Sequence, residues 1–434
     1  MSKTSIIGIK IIAPVRGQVE VKWSALDGEL PTDHFARVLD RVVGSLDVGP
    51  FLARAKSIKG AAGRPLLCPR MMLVLWLYAI IDGVAAATEI EELTRSHVAY
   101  RWIVGGLRTS HDVISRFRVE QGEGFSKVLS EVLARLLEAG LLDLDVVAQD
   151  GTRLRASAGA PSFRTAPALE DCREHAALHL EAVLAQGKDP HLSQTMKVSR
   201  EVKAREYAAR VEAAIEALST LPANKKNAPR ASTTDPDARV MKMGDGGFRP
   251  AYNVQLAVAG SELGGPRAIV GVIVTNVGSD MGSLTPMAND IEKRTGSRPE
   301  TVLADSNHYK LSDLEEVERL GTRPVVPPPR PRKGSAIVKS DNTKSPAPIA
   351  GTVPVEKQPS VDEWRDEAMS PADRQLYRRR ASLSELANAV LKGSYRMDQL
   401  PVRGLARVTS TITLYALCFT LHQNIGRLAN LIAG

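Results

Sequence analysis

The chain has 434 residues, 43% of them apolar, 24% charged and 4% aromatic, which is length enough for two or three domains with real cores. A balance of 57 Lys and Arg against 49 Asp and Glu gives a net charge of +8, which favours an anionic partner and says nothing about fold. Three cysteines far apart, Cys68, Cys172 and Cys418, exclude a disulfide scaffold and fit a reducing compartment. The best apolar run, Met71 to Ile81, is broken by Asp82 and is too short to span a bilayer. No basic start leads into an apolar h-region, so the expectation is a cytoplasmic protein with no membrane partner.

Residues 1–60 carry few strong signals, but from Pro69 to Gly140 the sequence reads as helices. Two are expected over about 69–82 and 87–98. Thr109 with Asp112 three residues on resembles a capping box opening a helix from Asp112 to Arg118. The cleanest helix follows, with Phe125, Val128, Leu129, Val132, Leu133, Leu136 and Leu137 on one stripe that ends at Gly140. A run of short helices whose last member carries Arg116 and Arg118 is compatible with a helix-turn-helix fold. A small bundle with a solvated basic face fits the same pattern.

At Leu142 the texture changes. Leu144, Val146 and Ala148 alternate with their neighbours, and the segment closes on Asp150-Gly151, a strand running into a turn. Residues 170–222 revert to helix, Pro222 to Pro236 reads as a linker, and Gly244-Asp-Gly-Gly-Phe-Arg249 reads as a turn entering a sheet. No GK[ST] follows those glycines, so they are no phosphate loop. Strands are predicted over Tyr252 to Val258 and over Ala268 to Thr275, joined as a hairpin, then a helix from Ser283 to Arg294 and a short strand from Thr301 to Asp305. An acidic helix around Ser312 to Leu320 leads into a Pro-, Lys- and Ser-rich stretch, residues 323–362, expected as a mobile loop. The tail from Asp373 to Ala433 is helical again. This order predicts an α/β fold with a mixed sheet, preceded by an all-α part.

Two aspartates close separate strands, where an open sheet concentrates its functional groups, and Glu385 follows the basic run Arg378-Arg379-Arg380. Three carboxylates drawn together from distant positions repel unless divalent cations neutralise them, and hard Mg²⁺ prefers such oxygen donors. Each acid taken singly is equally a turn former, a cap or a solvated surface group. Cys172, His175 and His179 lie close in sequence without a fourth ligand, so solvated helix side chains are the simpler reading.

Five blocks of sequence resemble bacterial insertion-sequence DDE transposases. They are VVAQDGTRLRASAG around Asp150, TDPDARVMKMGDGGFRPAYNVQLAV, VTNVGSDMGSLTPM, VLADSNHY, and YRRRASLSELANAVLKG with the following LPVRGLARV. The stretches LWLYAIIDGVAAATEIEEL and SHDVISRFR are similar to the helical part that precedes the catalytic core in that group. The resemblance implies a helical N-terminal domain over 1–140 for DNA-end binding, and an RNase H-like catalytic domain over 141–322 and 363–434 with a helical insertion at about 156–235. It implies Asp150, Asp305 and Glu385 as catalytic ligands of two Mg²⁺ or Mn²⁺ ions, and Lys392, two turns after Glu385, as a DNA contact. Tyr377 and Arg380 belong to the same signature, although the gap from Arg380 to Glu385 is one residue longer than the group's pattern. Ser-Asn-His before Tyr309 also departs from the usual small residues and aromatic. Arg153, Arg155 and Arg249, with Arg116 and Arg118 of the helical part, are candidate phosphate contacts.

The activity implied is cleavage of double-stranded DNA at the element's ends, followed by attack of the freed 3′-hydroxyls on target DNA. Synapsis of two ends implies a homo-oligomer on DNA, at the bacterial nucleoid. Two other readings share these residues: an RNase H-like nuclease without strand transfer, and a decayed or co-opted transposase that only binds DNA.

Overall fold

The computed structural model describes residues 3–6, 9–12, 23–53, 65–187, 191–221, 228–260, 265–329 and 369–433. Most of the stretch expected as a loop, from residue 330 on, lies outside the described residues.

Seven α-helices are described between residues 26 and 138: α1 Leu26–Glu29, α2 Phe35–Gly44, α3 Pro69–Ile81, α4 Ala87–Ser96, α5 Val98–Ile103, α6 His111–Glu120 and α7 Gly122–Glu138. α3 is apolar all round, with Met72 to Leu77, Ala79 and Ile80 buried, and such a helix belongs at the centre of a bundle. Trp76 on it donates to the Ile114 carbonyl of α6 at 2.9 Å. The α7 stripe from Phe125 to Leu136 is buried as its spacing predicts. The N-terminus of α6 differs from the capping-box expectation: Ser110 is the N-cap and its side chain makes no cap bond. Glu91 of α4 takes that role, accepting from the His111 N–H at 2.8 Å.

The main sheet uses six of the ten strands among the described residues: β1 Lys3–Ile6, β2 Ile9–Ile12, β3 Val146–Arg155, β4 Phe163–Arg164, β5 Ala231–Ser232, β6 Arg239–Lys242, β7 Phe248–Ala259, β8 Ala268–Thr275, β9 Thr301–Leu303 and β10 Arg323–Val325. Its order is β10-β9-β3-β7-β6, with β8 also paired to β7. β3 is antiparallel to β7 and parallel to β9, so the sheet is mixed as expected. Between β4 and β5 the expected helical stretch is a hairpin of two helices, α8 Ala166–Gln186 and α9 Gln194–Ser219, closed at its base by Leu169, Ala214 and Ala231.

Two strands depart from expectation. β3 does not turn at Gly151, because the twelve-residue β7 gives it a partner as far as Arg155, which sits opposite Ala251. Arg323–Val325, expected to begin the loop, is a parallel edge strand on β9. Pro324 is tolerated there because the ladder bonds are made by its neighbours: Arg323 N–H donates to Glu300 and the Val325 carbonyl accepts from Ala304.

Each face of the β9 region has its own cover. On one, Val302 and Ala304 pack with Leu284 and Ala288 of α10 Leu284–Thr295 and Val317 of α11 Leu311–Arg319. Asp313 of α11 caps α10, accepting from the Leu284 and Thr285 N–H groups at 3.0 and 3.1 Å. On the other, Val146, Ala148 and Leu303 meet Leu376, Tyr377 and Leu383. These belong to a long helical segment, α-helical over Pro371–Arg380, with π-helical turns at Ala381–Glu385 and Val390–Ser394. The C-terminal helix Leu405–Ala433 is buried along most of Val408 to Leu421 and packs on α7, α6, α2, α3 and β8. It joins the helical part and the sheet in one core that runs from Leu30 to Leu428. Among the described residues no helix is long and apolar enough to cross a membrane.

Candidate active site

The register of the parallel pair places two aspartates side by side. β3 and β9 match Val146 with Thr301, Val147 with Val302 and Ala148 with Leu303. Two residues further along each chain stand Asp150 and Asp305. Alternate residues share a face in extended chain, so both aspartates fall on the face of Ala148 and Leu303, beneath the segment Pro371–Ser394. Asp150 is therefore within a strand rather than at its end, but it lies just beyond the last paired residue of β9, where that edge of β3 is open.

Two side chains of the covering segment hold the Asp150 carboxylate. Arg380 Nη2 donates to Oδ1 at 2.9 Å and Asn388 Nδ2 donates to Oδ2 at 2.8 Å. Burial pushes the Asp150 carboxyl above its ordinary value, the Arg380 guanidinium works against that, and the charge of Asp305 adds to it. At Asp305 burial also acts upward, but the hydrogen bond and charge of His308, with Arg380, outweigh it and hold this carboxyl below its ordinary value. Its oxygens accept from the Asn307 backbone at 3.0 Å, the Asn307 side chain at 2.8 Å and face His308 Nδ1 at 2.7 Å. Lys392 is near enough for Asp150 to raise its pKa against the larger lowering effect of burial.

Glu385 is not drawn in with them. Its side chain is exposed, and among the described residues no three His, Cys, Asp or Glu side chains converge as a metal-holding group. The neighbour of Asp150 on that segment is Asn388, whose Oδ1 is buried and accepts no hydrogen bond. Two carboxylates and a neighbouring unpartnered carbonyl oxygen are hard donors of the kind Mg²⁺ or Mn²⁺ takes, so this donor set fits a divalent cation. Sequence reasoning did not single out Asn388. The available signal is its place in the series Arg380, Ser384, Asn388, Lys392, each four residues from the next.

The candidate DNA contacts fall in three groups. Arg380 and Lys392 lie at Asp150. Arg153, three residues along β3, donates to the Gly278 carbonyl at 2.8 Å and reaches Asp280 at 3.3 Å, while Arg155 is exposed at the end of that strand. Arg249 pairs with Asp245 at 2.6 Å and, seven residues from Leu256 on β7, lies roughly 23 Å along the strand from the site at 3.3 Å per residue. In the helical part Arg116 is exposed, 3.9 Å from Glu120. Arg118 corrects its expectation: it is 3% exposed, its guanidinium lies 4.6 Å from the Trp76 ring centroid and it donates to the Ala85 carbonyl at 2.9 Å. A guanidinium enclosed in the core is a packing group, and DNA has no access to it.

Two family models match the chain: a transposase domain (DUF772) over residues 24–120 and a transposase DDE domain over residues 224–421. The first covers α1 to α6, and the second runs from the strands after the helical hairpin into the C-terminal helix. No curated protein and no solved structure matches. Both matches are to transposase families, and together they support an insertion-sequence DDE transposase. That family generally works with divalent metal ions on DNA.

Proposed function

We propose that this protein cleaves double-stranded DNA at the ends of an insertion sequence and joins the freed 3′-hydroxyls to target DNA, with Asp150 and Asp305 as metal ligands in an RNase H-like catalytic domain over 141–322 and 363–434. The observation that carries the reading is the juxtaposition of these two aspartates by the β3–β9 register, under a segment that contributes cations and oxygen donors. Glu385, exposed one turn before Asn388, serves as the third carboxylate only if the covering segment turns it toward the aspartates when metal and DNA bind. What two Mg²⁺ or Mn²⁺ ions supply when bound is activation of the attacking water or 3′-hydroxyl and stabilisation of the leaving oxygen.

The protein's own residues do the rest. Arg380 and Lys392 set positive charge beside the carboxylates, where they neutralise the phosphates of the strand being cut without reading its sequence. Arg153 and Arg155, three and five residues on and so on the opposite face of β3, meet phosphates away from the carboxylates, as does Arg249 at the tip of the β6–β7 hairpin. The helical part over 1–140, with Arg116 outward, binds the element's ends. Two copies of the chain hold two ends together, in the cytoplasm at the nucleoid. A second reading is favoured by one observation, that an asparagine rather than a third carboxylate faces Asp150: the protein then binds DNA and cuts nothing.

Incubation with a labelled duplex carrying one element end, with Mn²⁺ and with chelator, tests the proposal. Metal-dependent nicking and joined products are expected from wild type, and Asp150→Ala and Asp305→Ala should bind the duplex without cutting it. Nicking without joined products points to a nuclease, and binding alone to the second reading. Glu385→Ala and Asn388→Ala separate the two candidates on the covering segment: loss of cutting in the first and partial activity in the second supports the carboxylate triad.

A further inference from the structure

The sheet face opposite Asp150 carries a chain of buried polar groups that the proposal above leaves unused. Gln149, Asn253, Gln255, Asp280 and His308 are each no more than 5% exposed. His308 faces Asp305 Oδ1 with Nδ1 at 2.7 Å and Gln255 Oε1 with Nε2 at 2.9 Å. Gln255 Nε2 donates to Asp280 Oδ1 at 2.7 Å, and Asn253 Nδ2 donates to the same oxygen at 2.8 Å. Asp280, a carboxylate, accepts only, so it fixes the Gln255 amide with its nitrogen inward and its oxygen toward His308. Gln149 Nε2 donates to that same oxygen at 3.2 Å. At Gly151, beside Asp150, an added Cβ would lie 2.3 Å from Gln255 Nε2 and 2.7 Å from Asp280 Oδ1. The absence of a side chain there gives the amide and carboxylate their room.

Polar groups inside a protein cost free energy unless every partner is supplied, and apolar side chains would fill the same space without that demand. This chain of contacts ends on one oxygen of Asp305. We infer that His308, held in place by Gln255 and Asp280, is a positioning residue that fixes the Asp305 carboxylate for its cation. The inference rests on the metal-dependent reading above. Carboxylates that bind metal are oriented by such outer partners, and losing one costs about 10- to 100-fold in metal affinity or activity.

Calorimetric titration of Mn²⁺ into the full chain, without DNA, tests it. His308→Asn keeps a nitrogen where Nδ1 meets Asp305 and drops the contact to Gln255, whereas His308→Gln does the reverse. Gln255→Met leaves the His308–Asp305 contact and removes its anchor. The expected order of affinity is wild type, then His308→Asn and Gln255→Met, then His308→Gln, the last weaker by about tenfold or more. Equal affinities for the two His308 variants, whether unchanged or equally weakened, would show a packing role and overturn the inference. If circular dichroism shows that the His308 variants do not fold, Gln255→Met decides by itself, and wild-type affinity there overturns the inference. Absence of Mn²⁺ binding by wild type, or binding unchanged in Asp305→Ala, overturns the metal-dependent reading and this inference with it.

Discussion

Arg116 and Arg118 stand two residues apart on α6 and have opposite fates. The first is solvated, and the second lies across Trp76 with its charge buried. Removing a buried, hydrogen-bonded cation that stacks on an indole breaks packing and leaves the Ala85 carbonyl without its donor, at a cost of about 2–4 kcal/mol. Arg118→Met is therefore expected to lower the melting temperature by several degrees and to leave the salt dependence of DNA binding unchanged. Arg116→Ala should do the reverse, leaving stability within about 0.5 kcal/mol and reducing the salt slope by about 1. Thermal melts and DNA titrations at several salt concentrations check both. The identity of the two side chains was legible in the sequence, but which one faces inward was not. On a helix that choice depends on what α3 places opposite, and Trp76 is 42 residues away from Arg118 in the chain.

At the scale of elements, periodicity located most of the helices and four of the six strands of the main sheet, and tertiary contacts set their ends. α7, β8, α10 and α11 fall within a few residues of their expected places because each carries its own apolar stripe or alternation. Caps were not legible, because two of them come from elsewhere: Glu91 serves α6 and Asp313 serves α10. The C-terminal helix shows the same rule at its start, where Gly404 donates to Asp235 at 3.1 Å and Leu405 to Asp237 at 2.7 Å. Asp235 also accepts from the Tyr252 hydroxyl at 2.7 Å, and its Oδ2 is buried without a partner. Burial raises the Asp235 carboxyl above its ordinary 3.8, against the hydrogen bonds of Tyr252 and Gly404. The folded state thus keeps this proton to higher pH than the unfolded chain does, so ionisation costs stability. That cost is absent below the unfolded value and complete once pH passes the folded one. Asp235→Asn keeps an oxygen for both donors and removes the charge, so its melting temperature relative to wild type should rise from pH 4 to pH 7. A constant difference over that range would show that Asp235 titrates alike in the folded and unfolded chain, and would contradict the upward shift.

In the whole molecule, the site is assembled from distant parts of the chain. Asp150 comes from the first strand of the sheet, Asp305 from the end of a strand 155 residues on, and Arg380 and Asn388 from a segment beyond the undescribed stretch. The two aspartates were legible because strand patterns marked their neighbourhoods and the motifs around them are those of a family. Their companions were not, since nothing in the sequence couples Gln255 with Asp280 until the sheet brings them behind Asp305. The one-residue-longer gap between Arg380 and Glu385 coincides with a π-helical turn, Ala381–Glu385, a distortion frequent at functional sites. The continuous core from Leu30 to Leu428 couples the helical part to the sheet, so DNA ends bound by one would be held rigidly against the other. The most direct measurement is a mobility assay in cells, with a reporter flanked by the DNA that borders this gene, comparing wild type with Asp150→Ala and Asp305→Ala at matched protein levels. Movement by wild type alone is the expected result, and it would place both aspartates in the reaction. Undiminished movement in either variant would contradict the active site described here.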